Sequence, residues 1–213
     1  MRLSDTTVLI PAYNEAARIG RVVEVARQAG LPVLVVDDGS SDATAQAAAQ
    51  AGAQVLRLSQ NQGKSQALAA GLAQVQTPYL LLLDADLVGL KAEHLEALLA
   101  PVRSGQLDMA IGVFRSGGLM TDFGNRATPH LSGQRACTTR WLKSVPNLTA
   151  GRWPEPAITD HLAKSRARWA YVELLGAGQV MKEQKRGLWR GLAMRLRMYL
   201  ELLRYRLKSP FRA

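Results

Sequence analysis

The stretch YLLLLDADL, residues 79–87, ends an apolar run on two aspartates, Asp84 and Asp86, with only Ala85 between them. Two carboxylates this close repel unless each reaches water or both share a cation. A hard divalent ion such as Mg²⁺ or Mn²⁺ meets that need, because it takes one or two carboxylates and fills its other positions with water and substrate phosphates. The pair therefore reads as a metal bridge to a phosphate. The competing reading is a solvated strand end at which Asp86 caps the next helix.

Three further stretches carry residue types suited to the same chemistry. VVDDGSSDAT holds Asp37 and Asp38, one of which has an ordinary turn or cap role before a helix. An acid at a strand end can also accept hydrogen bonds from a base N–H or a ribose hydroxyl. NQGKSQAL puts Gly63 and Lys64 at a helix start, where free backbone N–H groups and an ammonium favour an anion, or where the lysine is simply a surface residue. Its spacing is not that of a Walker P-loop. GRWPEPAITDHLA supplies Glu155 and Asp160 as general-base candidates, which must lie within hydrogen-bond reach of an attacking hydroxyl. His94, His130 and His161 show no metal-ligand spacing.

These side chains act together only if the fold gathers them. Val8 to Ile10, halted by Pro11, reads as a buried strand. Ile19, Val22, Val23 and Ala26 follow at helical spacing, closing on Gly30 as a C-cap. VLVV is the next strand, and a helix capped by Ser41 or Asp42 runs to Gly52. AQVLRLS, KSQALAAGLAQVQ and YLLLL continue the alternation as strand, helix and strand. Further on, AEHLEALLAPV reads as helix, DMAIGVF and RWAYVELLG as strands, and the turn-rich stretch from Arg115 to Cys137 as a functional loop. Alternation of this kind predicts an α/β fold with a mostly parallel central sheet covered by helices on both faces. Ligands then sit at the carboxyl ends of the strands, which lines up Pro11, Tyr13, Asn14 and Glu15, Asp37 and Asp38, Asn61 to Lys64, and Asp84 and Asp86 on one edge.

The composition, 47% hydrophobic and 21% charged, is that of a globular protein rather than a disordered one. Its net charge of +10 is unevenly placed: from Lys185 onward nine Lys and Arg stand against Glu201, so nine minus one leaves +8 there and +2 on residues 1–184. In this tail Leu188, Leu192, Leu196, Tyr199, Leu203 and Leu207 fall on one stripe, with Arg190, Arg197 and Arg204 on another. That is a basic amphipathic helix, suited to an anionic membrane surface or to docking on its own domain. No apolar run approaches the roughly 20 residues of a membrane span, and the first residues lack the apolar stretch of a signal peptide. The lone Cys137 excludes an internal disulfide. The expected location is the cytoplasm, peripheral at the inner face of the cell membrane.

Taken together, IPAYNE, VVDDGSSDAT, NQGKSQAL and LLLDADL, in that order across residues 7–87, resemble the N-terminal half of family 2 glycosyltransferases, inverting enzymes of GT-A fold that include dolichol-phosphate mannose synthases. The resemblance implies a GT-A domain over residues 1–184 and the basic amphipathic helix over 185–213. It implies a UDP- or GDP-sugar donor held by Pro11, Tyr13, Glu15, Asp37, Asp38, Lys64 and Asp84, with a divalent metal (Mn or Mg) on Asp86 and Asp84. LSGQRA resembles the family's small-residue acceptor loop and makes Ser132, Gly133, Gln134 and Arg135 candidates near the sugar. VMKEQKRGLWRG resembles the basic cluster after the last strand of polyprenyl-phosphate enzymes, where Lys182, Lys185 and Arg186 would hold a diphosphate or lipid phosphate. Where the family has Glu-Asp at a helix head, this chain has Glu155-Pro156 and then Thr159-Asp160, which leaves the base open between Asp160 and Glu155, and an acceptor that is already a phosphate would need none. The expected acceptor is a lipid or polyprenyl phosphate.

Two rivals fit less well. A sugar-nucleotide nucleotidyltransferase would carry a glycine-rich basic loop after the first strand, which PAYNEAARIG lacks. A nucleic-acid binder would leave the strand-end carboxylates repelling phosphates, so no nucleic-acid partner is expected.

Overall fold

The structure, a computed structural model, describes residues 5–115 and 132–179. The first half follows the predicted alternation: β1 (Thr6–Ala12), α1 (Ile19–Gln28), β2 (Val33–Asp37), α2 (Thr44–Gln50), β3 (Gln54–Arg57), α3 (Lys64–Gln74) and β4 (Tyr79–Leu82). A two-residue β5 (Leu87–Val88), α4 (Ala92–Arg103), β6 (Met109–Arg115), β7 (Arg135–Thr138), α5 (Thr139–Lys143), α6 (Glu155–Lys164) and β8 (Trp169–Leu175) complete the elements that position the site. The sheet has seven strands in the order β3-β2-β1-β4-β7-β6-β8. Its pairs are parallel except where β7 meets β4 and β6.

Because side chains alternate along a strand, the buried strands feed two apolar layers. Val8, Ile10, Val35 and Leu81 face α1, α2 and α4, where Ile19, Val22, Ala48 and Leu98 meet them. Leu9, Leu34, Val36 and Leu80 face α3, α5 and α6, with Leu68, Leu142, Ile158 and Leu162. α3 lies so near the sheet that a Cβ on Gly71 would sit 2.4 Å from Leu9 Cδ1 and 2.7 Å from Val36 Cγ2. A side chain there would lift the helix that begins with Lys64.

Two local readings are corrected. Pro11 does not stop β1, which pairs with β2 out to Ala12↔Asp37. The ladder with β4 ends at Leu9↔Leu82, so the missing N–H of Pro11 falls past the last registered pair on that side. In α2 the cap position is Ala43, and Asp42 acts from one residue earlier by accepting the Thr44 N–H at 3.0 Å. Among the described residues no helix is long and apolar enough to cross a membrane. The tail reading over 185–213, with Lys182, Lys185 and Arg186, lies outside the described residues.

Candidate functional site

The carboxyl edge of the sheet is built first from backbone. Asn14, in the left-handed region at φ 55°, accepts the Ser41 N–H on Oδ1 and donates its own N–H to Ser40 Oγ, both at 2.9 Å. Glu15 N–H donates to Thr44 Oγ1 at 2.8 Å. The loop after β1 is thereby fastened to the loop after β2. Tyr13 is exposed at the tip of that first loop, and Pro11 lines the cavity described below.

Asp37 and Asp38 are both buried, with different jobs. Asp37 accepts the Ser40 N–H at 3.0 Å on Oδ1, while Oδ2 lies 3.3 Å from Arg57 Nε. Asp38 takes the Gln62 N–H on Oδ1 and the Gly63 N–H and Asn61 Nδ2 on Oδ2, each at 2.8 Å. Both oxygens of Asp38 thus shape the 61–63 loop, the structural role expected of one acid of the pair. The loop delivers Lys64 to the start of α3.

Lys64 is the centre of the site. Its Nζ lies 2.6 Å from Asp84 Oδ1 and contacts Glu155 Oε1. Gln134 Nε2 donates to the other Asp84 oxygen, Oδ2, at 2.6 Å. Asp84 does share a cation with a second carboxylate, but the cation is the Lys64 ammonium and the partner is Glu155. Burial alone would depress the Lys64 pKa; the charges of Asp84 and Glu155 outweigh it and hold the ammonium above the usual lysine range. Asp86 is half-buried in the turn between β4 and β5.

Gln134 reaches Asp84 because β7 is the reversed strand. The residues that precede it therefore emerge at the same edge as the carboxyl ends of β1, β2 and β4. Gly133 passes so close that a Cβ would lie 2.5 Å from Asp84 Oδ2 and 2.7 Å from Oδ1. Ser132 Oγ donates to Gly112 O at 2.5 Å, which ties the 132–134 loop to β6. Arg135 turns inward: Nε donates to Ser132 O at 2.9 Å and Nη2 to Thr159 Oγ1 at 3.3 Å. Lys64, Glu155, Gly133, Arg135, Pro11 and Pro154 line one narrow cavity.

The two base candidates part company here. Glu155 is buried in the first turn of α6 beside Lys64. Asp160, five residues on and so about 140° round the helix, pairs with Lys164 at 2.7 Å on the outer side. His161 stacks near Trp141 at 5.1 Å and sits 3.2 Å from Ser144 Oγ, packing α6 on α5. His94 accepts the Lys91 N–H and meets Leu175 O. His130 lies outside the described residues. Among the described residues no group of three or more His, Cys, Asp and Glu could hold a metal unaided.

Two contributors escaped the sequence reading. Arg152 donates to Asn61 Oδ1 at 2.7 Å, and its carbonyl accepts the Ser65 N–H at 3.2 Å. Thr159 meets Arg135. Nothing in GRWPEPAITDHLA marks either residue, since both depend on how the segment packs against α3 and β7.

The family model for glycosyl transferase family 2 matches residues 7–168. Among curated proteins, glycosyltransferase AglJ from Haloferax volcanii is 38% identical over 81 residues, 37% of this chain and 26% of that protein. A 4,4′-diaponeurosporenoate glycosyltransferase from Staphylococcus aureus is 34% identical over 100 residues, 44% of this chain and 27% of that protein. The chain spans about a quarter of the length of these relatives. Among solved structures, glucosyl-3-phosphoglycerate synthase from Mycobacterium tuberculosis in complex with phosphoglyceric acid superposes with a TM-score of 0.67 at 23% identity, over 82% of this chain and 71% of that one. The same synthase with Mn²⁺, UDP-glucose and phosphoglyceric acid gives a TM-score of 0.67 at 22% identity, over the same shares. The fold is the shared GT-A architecture.

Proposed function

The chain belongs to glycosyl transferase family 2, and on that premise we propose that it moves a sugar from a nucleotide-diphosphate sugar to a lipid-linked or polyprenyl-phosphate acceptor, with inversion and with a divalent metal. The observation that carries the reading is the Lys64–Asp84–Glu155 cluster at the carboxyl edge of the sheet. It places a cation suited to phosphate beside a carboxylate suited to a proton, at the strand ends where this architecture takes its ligand.

Pro11, Tyr13, Glu15 and Asp37 form the nucleotide end, and Asp38 supports them by holding the 61–63 loop. Lys64 meets the donor's diphosphate. Ser132, Gly133 and Gln134 flank the sugar, with Gln134 keeping Asp84 aimed. Glu155 is favoured over Asp160 as the base because Asp160 faces outward; it takes the proton from an acceptor hydroxyl, and an acceptor that is already a phosphate needs no base. Lys182, Lys185 and Arg186 bind a diphosphate or lipid phosphate.

Among the residues present, Asp86 and Asp84 fit a hard cation as carboxylate oxygen donors, Asp84 because Lys64 and Gln134 each engage one lone pair of an oxygen that carries a second. Mn²⁺ or Mg²⁺ would then be held by Asp86 and Asp84 with the donor's own phosphates. When bound, the ion neutralises charge that builds on the leaving diphosphate. Support for this donor and ion comes from the mycobacterial synthase, which is solved with Mn²⁺ and UDP-glucose. The membrane-facing acceptor and a peripheral location on an anionic inner surface are supported by the +8 tail.

Calorimetric titration with UDP and with GDP, each with and without Mn²⁺, tests the reading. Mn²⁺-dependent binding of one nucleotide, lost in Asp86→Ala, is expected. Binding of neither by folded protein overturns it. Removing residues 187–213 is expected to weaken sedimentation with anionic liposomes at physiological salt, and unchanged sedimentation refutes the membrane part alone.

A further inference from the structure

Arg135 was a candidate for contact with the sugar, yet its side chain is only 1% exposed and is the largest fully buried one among the described residues. A guanidinium stays charged at any physiological pH, so sealing it in requires partners for its donors and its charge. Those partners are informative. Nε holds Ser132 O at 2.9 Å, Nη2 holds Thr159 Oγ1 at 3.3 Å, and Nη1 lies 3.5 Å from Met109 Sδ. Ser132 adjoins Gly133 and Gln134, which meet Asp84. Thr159 lies one helical turn beyond Glu155, on the same face of α6. One planar fork therefore ties the loop that packs on Asp84 to the helix that presents Glu155. Burial lowers the Arg135 pKa, while the charges of Glu155 and Asp84 act in the opposite sense.

The charge count adds a second argument. Lys64, Arg135 and Glu155 line one narrow cavity, and Asp84 pairs with Lys64 beside it. Lys64 is the accessible cation, with a side chain 21% exposed. If Lys64 turns to an incoming anion, the Arg135 charge still opposes those of Glu155 and Asp84.

We propose that Arg135 is a positioning residue, whose guanidinium fixes the 132–134 loop against the first turns of α6 and remains as the counter-charge of Asp84 and Glu155 when Lys64 engages the donor. The role of Lys64 in this statement rests on the transferase reading above; the brace between loop and helix does not.

The test uses the full chain with Arg135→Lys, which keeps charge but loses the fork, and with Thr159→Val and Thr159→Ser, which remove and retain the hydroxyl. Hydrogen exchange is read peptide by peptide. Arg135→Lys and Thr159→Val should speed exchange on the order of tenfold in residues 132–135 and 155–159 while β1, β2 and α1 keep wild-type rates, and Thr159→Ser should restore them. Steady-state turnover of UDP-glucose with Mn²⁺, followed as UDP release, should show kcat down on the order of tenfold at unchanged KM for the first two variants. Exchange that rises uniformly, or not at all, overturns the proposal, as does a kcat equal to wild type. A wild-type chain that binds neither UDP nor GDP refutes the transferase reading instead, and the exchange data then decide the brace by themselves.

Discussion

Replacing Lys64 by Met, similar in length but uncharged, removes the ammonium between Asp84 and Glu155. At the 2.6 Å separation from Asp84 and an effective dielectric constant of about 20, the pair attraction is about 6 kcal/mol. Desolvation of the ions cancels much of that, yet removing the ammonium leaves two neighbouring carboxylates without the cation that bridges them, so the expected loss is about 3–5 kcal/mol. For a chain of this size that lowers Tm on the order of 10 °C. The sign with pH is definite. The Lys64 pKa is raised in the folded state, so its contribution is complete below the ordinary lysine value of 10.5 and is lost only as pH climbs through the raised one. The deficit of Lys64→Met in urea unfolding should therefore be constant from neutral pH to about 10. Adding Glu155→Gln should recover part of the loss, a coupling readable as a double-mutant cycle. A single variant within about 1 kcal/mol of wild type, the range of an exposed surface pair, refutes the claim that this ammonium bridges the half-buried Asp84 and the buried Glu155.

Three other perturbations probe separate joints of the molecule. Gly133→Ala puts a methyl group 2.5 Å from Asp84 Oδ2; overpacking of this kind costs about 1–3 kcal/mol, and weakened UDP or GDP binding together with lowered thermal stability is expected. Asp160→Asn should leave donor turnover near wild type, whereas Glu155→Gln should lower kcat about 10²-fold with a hydroxyl acceptor; the opposite ranking returns the base to Asp160. Asp108 is held below the usual carboxylate range by the Arg168 backbone N–H and then by its side chain. Its contribution is present above the ordinary value of 3.8 and lost as pH falls through the depressed one, so Asp108→Asn should cost under about 1 kcal/mol at neutral pH, after screening of this partly exposed pair, and progressively less as pH falls below 3.8, as read from acid-unfolding curves.

The half of the molecule up to Asp84 was legible because β1, β2 and β4 are short, apolar and largely buried on both faces, and each helix is punctuated by glycine. Gly30 and Gly52 adopt positive φ at the predicted stops, and the strand ends meet at the edge that the parallel order requires. What could not be read was partnership. Asp84 and Asp86 are neighbours in sequence, so a shared cation suggested itself, but a carboxylate's partners are set by what packs over it. Lys64 arrives from α3, Gln134 from the reversed strand and Glu155 from α6, separated from Asp84 by 20, 50 and 71 residues. β7 itself was hidden inside a turn-rich stretch because RACT is too short to show a period.

That reversed strand also explains why a sheet otherwise built from parallel pairs can complete a site from its second half. A parallel strand offers only its C-terminal loop to the ligand edge, and after β1, β2 and β3 that loop leads straight into a helix. An antiparallel strand offers its N-terminal approach instead. The 132–134 loop can then lie flat across Asp84, with Gly133 permitting contact and Arg135 diving into the core behind it. The small residue and the buried cation are thus two ends of one device. A side chain at 133 would push the loop off Asp84, and loss of the fork at 135 would release it from below. If the device is real, Gly133→Ala and Arg135→Lys share a single displaced loop, so the double variant should lose less stability than the two single losses added together, whereas independent sites would add within about 0.3–0.5 kcal/mol.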